Sequence, residues 1–487
     1  MKKKLWIILV AVVLVAAIVA GVLIAVTGKK QEPADGATKI VWWVYGSDAP
    51  IDTQLVVEAA NKYSAEKIGV VVELLFKGDD AFERDMQVGE YYDMTFTCDW
   101  ANDFGTNALN GNFYDITELV KKETPALYSC IDQKYWDVAG SLNGKIYAVP
   151  TLKDMASQQF LRMDKERYEA MGFTLPEYIE FRDLEPMLKA YKETYNDYPM
   201  AMGKGGLTGM TNSAQWIAGS YLCSPYHLAG TERENKIIPF WEDEVLMERY
   251  QLLHKWYELG YINPDAATVE SQGKEVRTIR SGSAWPGYYV GHTSWGDMEV
   301  QGVCYAGPFM STATMRGAMN AINAAATEKQ AIACLKYLEL LNTDRTFRDI
   351  LRFGVEGTHF NYVDVNGVKA VERTQQGNDN WSMDGFVTGS VVNASVTSDA
   401  IYDWNEIFKG YEKALVSTLG TYTFDKTNVE AECAACSAVM AKYNAEMLTG
   451  TLDIDAKLPE IKAELEAAGI YEIQKEAQRQ LDEYLGK

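Results

Sequence analysis

The sequence predicts an α/β fold built on a mainly parallel sheet and preceded by an N-terminal transmembrane helix. Three observations carry this. The first apolar run is long enough to cross a bilayer. The stretch after it, up to Thr97, alternates strand with helix. The chain has 487 residues, and a domain usually takes about 100–200, so two or three lobes are expected.

Residues 5–26 form 22 uncharged, apolar positions. As a helix at ~1.5 Å per residue they span ~33 Å, enough for a bilayer core. Lys2, Lys3 and Lys4 precede the run and Lys29 and Lys30 follow it. This reads as a signal anchor over residues 1–30, with the N-terminus in the cytoplasm and the remainder outside. The alternative is a long signal peptide cut between residues 20 and 37. The first cysteine is Cys98, so no cysteine stands near the run to take a lipid. Residues 31–38, with Pro33 and Gly36, read as a short tether.

Residues 40–45 are β-branched and aromatic, a buried strand. Helical spacing follows over 51–66, with Leu55, Val56, Ala59, Ala60 and Tyr63 on one face. Residues 70–76 are a second strand, 81–88 a short helix and 92–97 a third strand. This order implies right-handed crossovers and parallel strands. Ligands in such sheets sit beyond the carboxyl ends of the strands. That geometry selects the loops 45–49, 77–80 and 98–103. Further on, helices are expected near 181–195, 213–222, 242–259 and 328–341. Residues 281–290 read as a loop-rich return. Pro459 and Gly469 bracket one terminal helix, and 470–485 forms another.

Net charge is −22, and residues 1–30 hold five lysines and no acid, leaving −27 for the rest. Nucleic-acid binding depends on Lys and Arg neutralising phosphates, so that partner class is excluded. An anionic membrane surface is disfavoured for the same reason. The seven cysteines include one close pair, Cys433 and Cys436, in an Ala-rich helical stretch. No second such pair supplies four zinc ligands, so small buried thiols are expected, and neither metal nor cofactor. None of the four histidines lies in HExxH, and no GxSxG or phosphate loop occurs. With 68 acidic residues, coincidental carboxylate pairs carry no information about glycoside hydrolysis.

The tryptophans are more informative. Trp100, Trp285, Trp295 and Trp381 sit beside Gly, Pro, Asp or Asn instead of in apolar stripes. Indole faces stack on the C–H faces of sugars, while Asp and Asn hold hydroxyls. The bland reading is that these rings plug the cores. Core packing is favoured for Trp43, Trp136, Trp241, Trp256 and Trp404, and Trp216 divides between the two.

Four stretches together resemble the extracellular solute-binding proteins of ATP-driven importers. They are similar to the lipoprotein-like, sugar-type members in Gram-positive bacteria that carry a C-terminal domain of unknown function. The stretches are 92–102 with 111–117, then NGKIYAVP at 143–150, then YINPDA at 261–266, and finally LLNTD at 340–344 with GVEG at 354–357 and the tail motifs of 448–482. The lipidated cysteine usual in such proteins is missing here.

The resemblance implies a two-lobe, hinged fold with discontinuous lobes. The expected division is 39–150 plus about 278–325 for lobe 1 and 151–277 plus about 326–425 for lobe 2. Residues 426–487 are expected as a helical segment packed on the lobes. It further implies a monomeric receptor, not an enzyme, that captures a small polar solute, an oligosaccharide, and hands it to permease subunits. A ligand-sensing subunit for a membrane kinase and a surface carbohydrate-active enzyme are the alternatives. The expected ligand-binding residues are Asp48, Asp99, Trp100 and Asp103 from lobe 1, with Trp216, Trp285, Tyr288 and Trp381 opposite. An Asp-rich rim suits a cationic solute equally well.

Overall fold

The computed structural model describes residues 36–271, 277–284, 291–292, 299–399 and 403–487. The expected anchor at 1–30 lies outside them, as do Trp285, Tyr288 and Trp295. Among the described residues, no helix is long and apolar enough to cross a membrane.

The chain begins as the sequence predicts. Strand β1 (Thr38–Tyr45) is followed by helix α1 (Thr53–Ile68), β2 (Val70–Lys77), α2 (Asp79–Gln87) and β3 (Met94–Thr97). Strand β1 pairs in parallel with β2 on one side and β3 on the other. Gly69 ends α1 at φ +65°, a left-handed position that favours glycine. A short helix, α3 (Phe104–Leu109), follows β3, and β4 (Ala148–Pro150) leads out of the lobe.

The next block is lobe 2. Its strands β5 (Ser157–Asp164), β6 (Ala214–Ala218) and β7 (Leu222–Pro225) are followed by α4 (Glu244–Glu258). Asp243 caps α4, accepting hydrogen bonds from the Val245 and Leu246 amides at 3.1 and 3.4 Å. Residues 213–222, expected as a helix, form β6 and the turn into β7 instead. Their apolar residues serve a hairpin, and Trp216 pairs with Cys223 across it. Strands β8 (Arg280–Ser283) and β9 (Glu299–Met310) then flank β5, both antiparallel to it.

The chain returns to lobe 1 through residues 311–318. Strand β10 (Met319–Ile322) inserts between β3 and β4, antiparallel to both. The lobe 1 sheet thus has the order β2-β1-β3-β10-β4. The Trp42 indole donates to Asn320 Oδ1 at 2.9 Å, tying β1 to the returning chain. Helices α5 (Glu328–Thr343) and α6 (Arg345–Phe353) pack on this sheet, with Tyr337 edge-on to Trp42 at 6.0 Å.

This corrects the expected domain boundaries. Strands β8 (Arg280–Ser283) and β9 (Glu299–Met310) belong to lobe 2, because they complete its sheet. Residues 326–387 belong to lobe 1, whose core takes Leu335, Leu338, Leu351 and Val387. The loop-rich composition near 281–290 suggested a crossing there, but the crossing comes after β9. Three passages join the lobes: 150–157, 310–315 and the return near 411–418. Beside them a small cluster of Ala156, Val391, Trp404, Ile407 and Tyr411 packs with Met310.

The C-terminal helices α7 (Glu430–Thr449), α8 (Ile454–Ala467) and α9 (Ile470–Tyr484) join the lobe 2 core through Met440, Leu465 and Ile473. Gly450 lies at the crossing of α7 and α4, where a Cβ would come within 2.3 Å of the Leu253 carbonyl. Gln474 and Gln478 of α9 each bond the Ile237 backbone, at 2.8 and 2.9 Å. All seven cysteines are free thiols, six of them buried and Cys130 exposed.

Candidate functional site

A cavity of about 980 Å³ opens between the lobes. Lobe 1 contributes the loop after β3 and the N-terminal part of α3, including Asp99, Asp103 and Thr106. Lobe 2 contributes Ser157, Asn212, Gln215, Trp216 and Phe309. The passage 311–316 forms part of the wall, and residues 422–427 close another side. The site therefore stands at the carboxyl end of β3, where parallel strands leave a crevice. A second cavity of about 1100 Å³ adjoins it on the lobe 1 side, lined by Asp79, Glu83, Trp100 and Asn107. Asp99, Asp103, Thr106, Asn110 and Lys426 line both.

Six of the eight expected residues fall among the described residues. Asp99 sits in the wall shared by the two cavities. Burial raises its pKa, the nearby Arg316 guanidinium pulls it back, and the Asp103 charge adds to the rise, leaving it at about 6. Asp103 caps α3, and its Oδ1 accepts from the Thr106 amide at 2.6 Å. One carboxylate oxygen is thus committed to the helix. Trp216 is half-buried, and its indole donates to the Thr211 carbonyl at 3.2 Å. That bond leaves the ring fixed on the lobe 2 rim.

Trp100 is 49% exposed and lines the second cavity but not the first. Its indole donates to the Gly317 carbonyl at 2.8 Å, and Tyr45 and Phe386 meet it edge-on at 4.9 and 5.9 Å. Asp48 is exposed on the loop after β1 and lines neither cavity. Trp381 is a correction. It is 1% exposed in the lobe 1 core, and its indole donates to the Leu351 carbonyl at 3.1 Å. A ring with no exposed face cannot stack on a solute. Its polar neighbours in sequence, Asn378 to Asn380, belong to the short helix that Trp381 caps from below. Trp285 and Tyr288 lie outside the described residues.

Sequence reasoning missed several wall residues. Arg316 is 2% exposed yet lines the cavity. Its Nε and Nη2 donate to the Ala139 and Ser141 carbonyls at 3.2 and 3.1 Å, and the guanidinium lies 4.8 Å from the Phe104 ring centre. Nothing in the pattern around Arg316 marks it, because its partners are backbone carbonyls far away in sequence. Gln215 was hidden by the helical reading of 213–222, and Asn212 lies just before that stretch. Asn212 Nδ2 donates to Ser157 Oγ at 3.1 Å, which joins β5 to the β6 rim. Tyr226 and Phe309 stack at 4.9 Å and 12°, flooring the lobe 2 side. No group of His, Cys, Asp and Glu able to hold a metal occurs among the described residues.

Comparison with known proteins agrees with this geometry. Residues 418–486 match the model of a domain of unknown function, DUF3502. The chain is 28% identical over 478 residues to a carbohydrate ABC transporter substrate-binding protein of Streptococcus pneumoniae, covering 94% of each chain. It is 25% identical over 279 residues to the lipoprotein LipO of Bacillus subtilis, covering 56% of this chain and 53% of that one. Among solved structures, the N-glycan transport solute-binding protein NgtS of S. pneumoniae superposes with a TM-score of 0.81 at 27% identity, over 92% of this chain and 99% of that one. The same protein in complex with Man5GlcNAc gives 0.69 at 26% identity, over 92% and 99%. The resemblance read from the sequence therefore holds: the chain has the two-lobe fold of the extracellular solute-binding proteins of ABC importers, together with their C-terminal domain of unknown function.

Proposed function

We propose that the protein is a monomeric extracellular receptor of an ABC importer that captures an oligosaccharide between its lobes and delivers it intact to a membrane permease. The observation that carries this reading is the cavity of about 980 Å³ walled by both lobes, with amides and an indole facing carboxylates. That is the chemistry a sugar needs: a flat apolar face for ring C–H groups and fixed acceptors for hydroxyls. Binding requires no bond making. A solute touching both rims makes more contacts when the lobes close, so it shifts the hinge equilibrium toward closure. Three structures of the relative NgtS superpose with TM-scores of 0.81, 0.73 and 0.69, the last two being its complexes with Man1GlcNAc and Man5GlcNAc. That spread is in keeping with a scaffold whose lobes move.

In this reading residues 1–30 hold the protein on the outer face of the membrane. Asp99, Asp103 and Trp216 contact the solute in the main cavity, and Trp100 contacts it in the second. The test is calorimetric titration of residues 36–487 with Man5GlcNAc, shorter mannose and GlcNAc oligosaccharides, and a panel of peptides and polyamines. Saturable binding of an oligosaccharide is expected. Binding confined to amines or peptides would overturn the carbohydrate assignment.

A further inference from the structure

The C-terminal domain belongs to lobe 2 by its core, yet its first segment reaches lobe 1. Residues 420–427 form a strap along the cleft. On one side it is pinned to α9. The Thr421 amide donates to the Tyr484 hydroxyl at 3.0 Å, and the Tyr422 hydroxyl donates to the Ala477 carbonyl at 2.8 Å. Gln480 clamps Asp425, accepting from its amide at 2.9 Å and donating to its carbonyl at 2.8 Å. On the other side the strap meets the 310–315 passage and lobe 1. The Thr312 hydroxyl donates to the Gly420 carbonyl, and Thr423 packs against α3 so closely that a Cβ at Gly105 would lie 3.2 Å from its methyl carbon. Tyr422, Phe424 and Lys426 line the inter-lobe cavity, and Lys426 lines the second cavity as well.

We propose that this strap is a third wall of the solute site, through which the C-terminal domain both touches the ligand and couples its position to the opening of the lobes. The proposal rests on the carbohydrate reading for the ligand's chemistry, but not for the coupling. Arg316 and Lys426 are the basic residues in the wall of the main cavity among those described. Arg316 is buried and donates to two backbone carbonyls, whereas Lys426, near the end of the strap, is exposed and lines both cavities. There it donates to hydroxyl or acetamido oxygens of a glycan that extends from one cavity into the other. Phe424 supplies an apolar edge beside it. Because the strap is carried by lobe 2 and abuts α3 of lobe 1, hinge motion must change the Gly105–Thr423 contact. A side chain at Gly105 therefore acts as a wedge.

The experiment uses residues 36–487 with four variants: Lys426→Ala, Phe424→Ala, Gly105→Leu and Thr423→Gly. Titration with Man5GlcNAc is expected to show at least tenfold weaker binding for Lys426→Ala and Phe424→Ala at unchanged melting temperature. Without any ligand, small-angle scattering is expected to show a larger radius of gyration for Gly105→Leu than for the parent. Thr423→Gly removes the same contact without adding bulk and is expected to shift scattering even if Gly105→Leu folds poorly. Parent-like affinity in both the Lys426 and Phe424 variants overturns the ligand wall. Scattering identical to the parent in Thr423→Gly and Gly105→Leu overturns the coupling. If the parent itself binds no glycan, the carbohydrate reading fails, and the coupling still stands or falls on the scattering.

Discussion

Lobe 1 brings Asp99, Asp103 and Arg316 to the cleft, whereas the rim formed by the lobe 2 hairpin and β5 is uncharged, with Ser157, Asn212, Gln215 and Trp216. The difference follows from how each rim is built. The lobe 1 side is a loop at the end of a parallel strand, and its polar residues are fixed by a cap and by buried carbonyls. The lobe 2 side is a hairpin with a register shift between Trp216 and Ala218, and Gln215 and Trp216 of its first strand line the cavity together with Asn212 just before it. A solute held by both is gripped by directional acceptors on one side and by a flat, tolerant surface on the other. The two rims are therefore expected to respond differently to mutation.

The largest effect is expected where a residue assigned to the rim from sequence turns out to be core. Trp381→Ala should cost about 4 kcal/mol of stability, as for a fully buried large aromatic, measured by urea unfolding. A small loss would return Trp381 to the surface. Arg316→Met comes next. It leaves the Ala139 and Ser141 carbonyls without donors and Asp99 without its neighbouring cation. Unfolding should show a loss of about 3 kcal/mol. On the neutral rim, Trp216→Ala should weaken glycan binding roughly 30-fold, ~2 kcal/mol, with a smaller effect on stability. Equal losses of stability and affinity would mean that Trp216 only packs.

Asp99 sharpens the comparison through pH, because Ser157, Asn212, Gln215 and Trp216 on the opposite rim do not titrate. Its folded pKa, about 6, lies above that of the unfolded carboxyl, about 3.9. The folded protein thus holds this proton more tightly, and Asp99 makes stability fall as pH rises from about 4 through about 6. Affinity should move the other way, since the ionised carboxylate is the better hydroxyl acceptor. Titrations at pH 5 and 7 should show tighter binding at pH 7, and Asp99→Asn should remove the difference. A slope that survives in Asp99→Asn would place the titrating group elsewhere. The smallest effect is expected at Asp48, exposed and outside both cavities. Asp48→Ala should leave affinity unchanged.

These expectations also show what the sequence could convey. The β1-α1-β2-α2-β3 run was legible because local periodicity and end signals agree there, and the loop 98–103 followed from its strand order. Trp216 was read on the wrong element, since an apolar run such as 213–222 suits a hairpin as well as a helix. Trp381 misled because its neighbours in sequence are polar while its neighbours in space are Leu351 and the lobe 1 core. Arg316 and the 420–427 strap were invisible for the same reason. Their roles depend on contacts with residues 139–141 and with α9, across long stretches of chain. The lobe boundaries failed because a composition shift marks a loop, not the lobe in which that loop lies.

The most direct test is native mass spectrometry of residues 36–487 after prolonged incubation with whichever oligosaccharide of the calorimetric panel binds most tightly. The account predicts one species, a single protein chain carrying one complete glycan. A protein that carries no glycan, or a glycan recovered in shortened form, would contradict it.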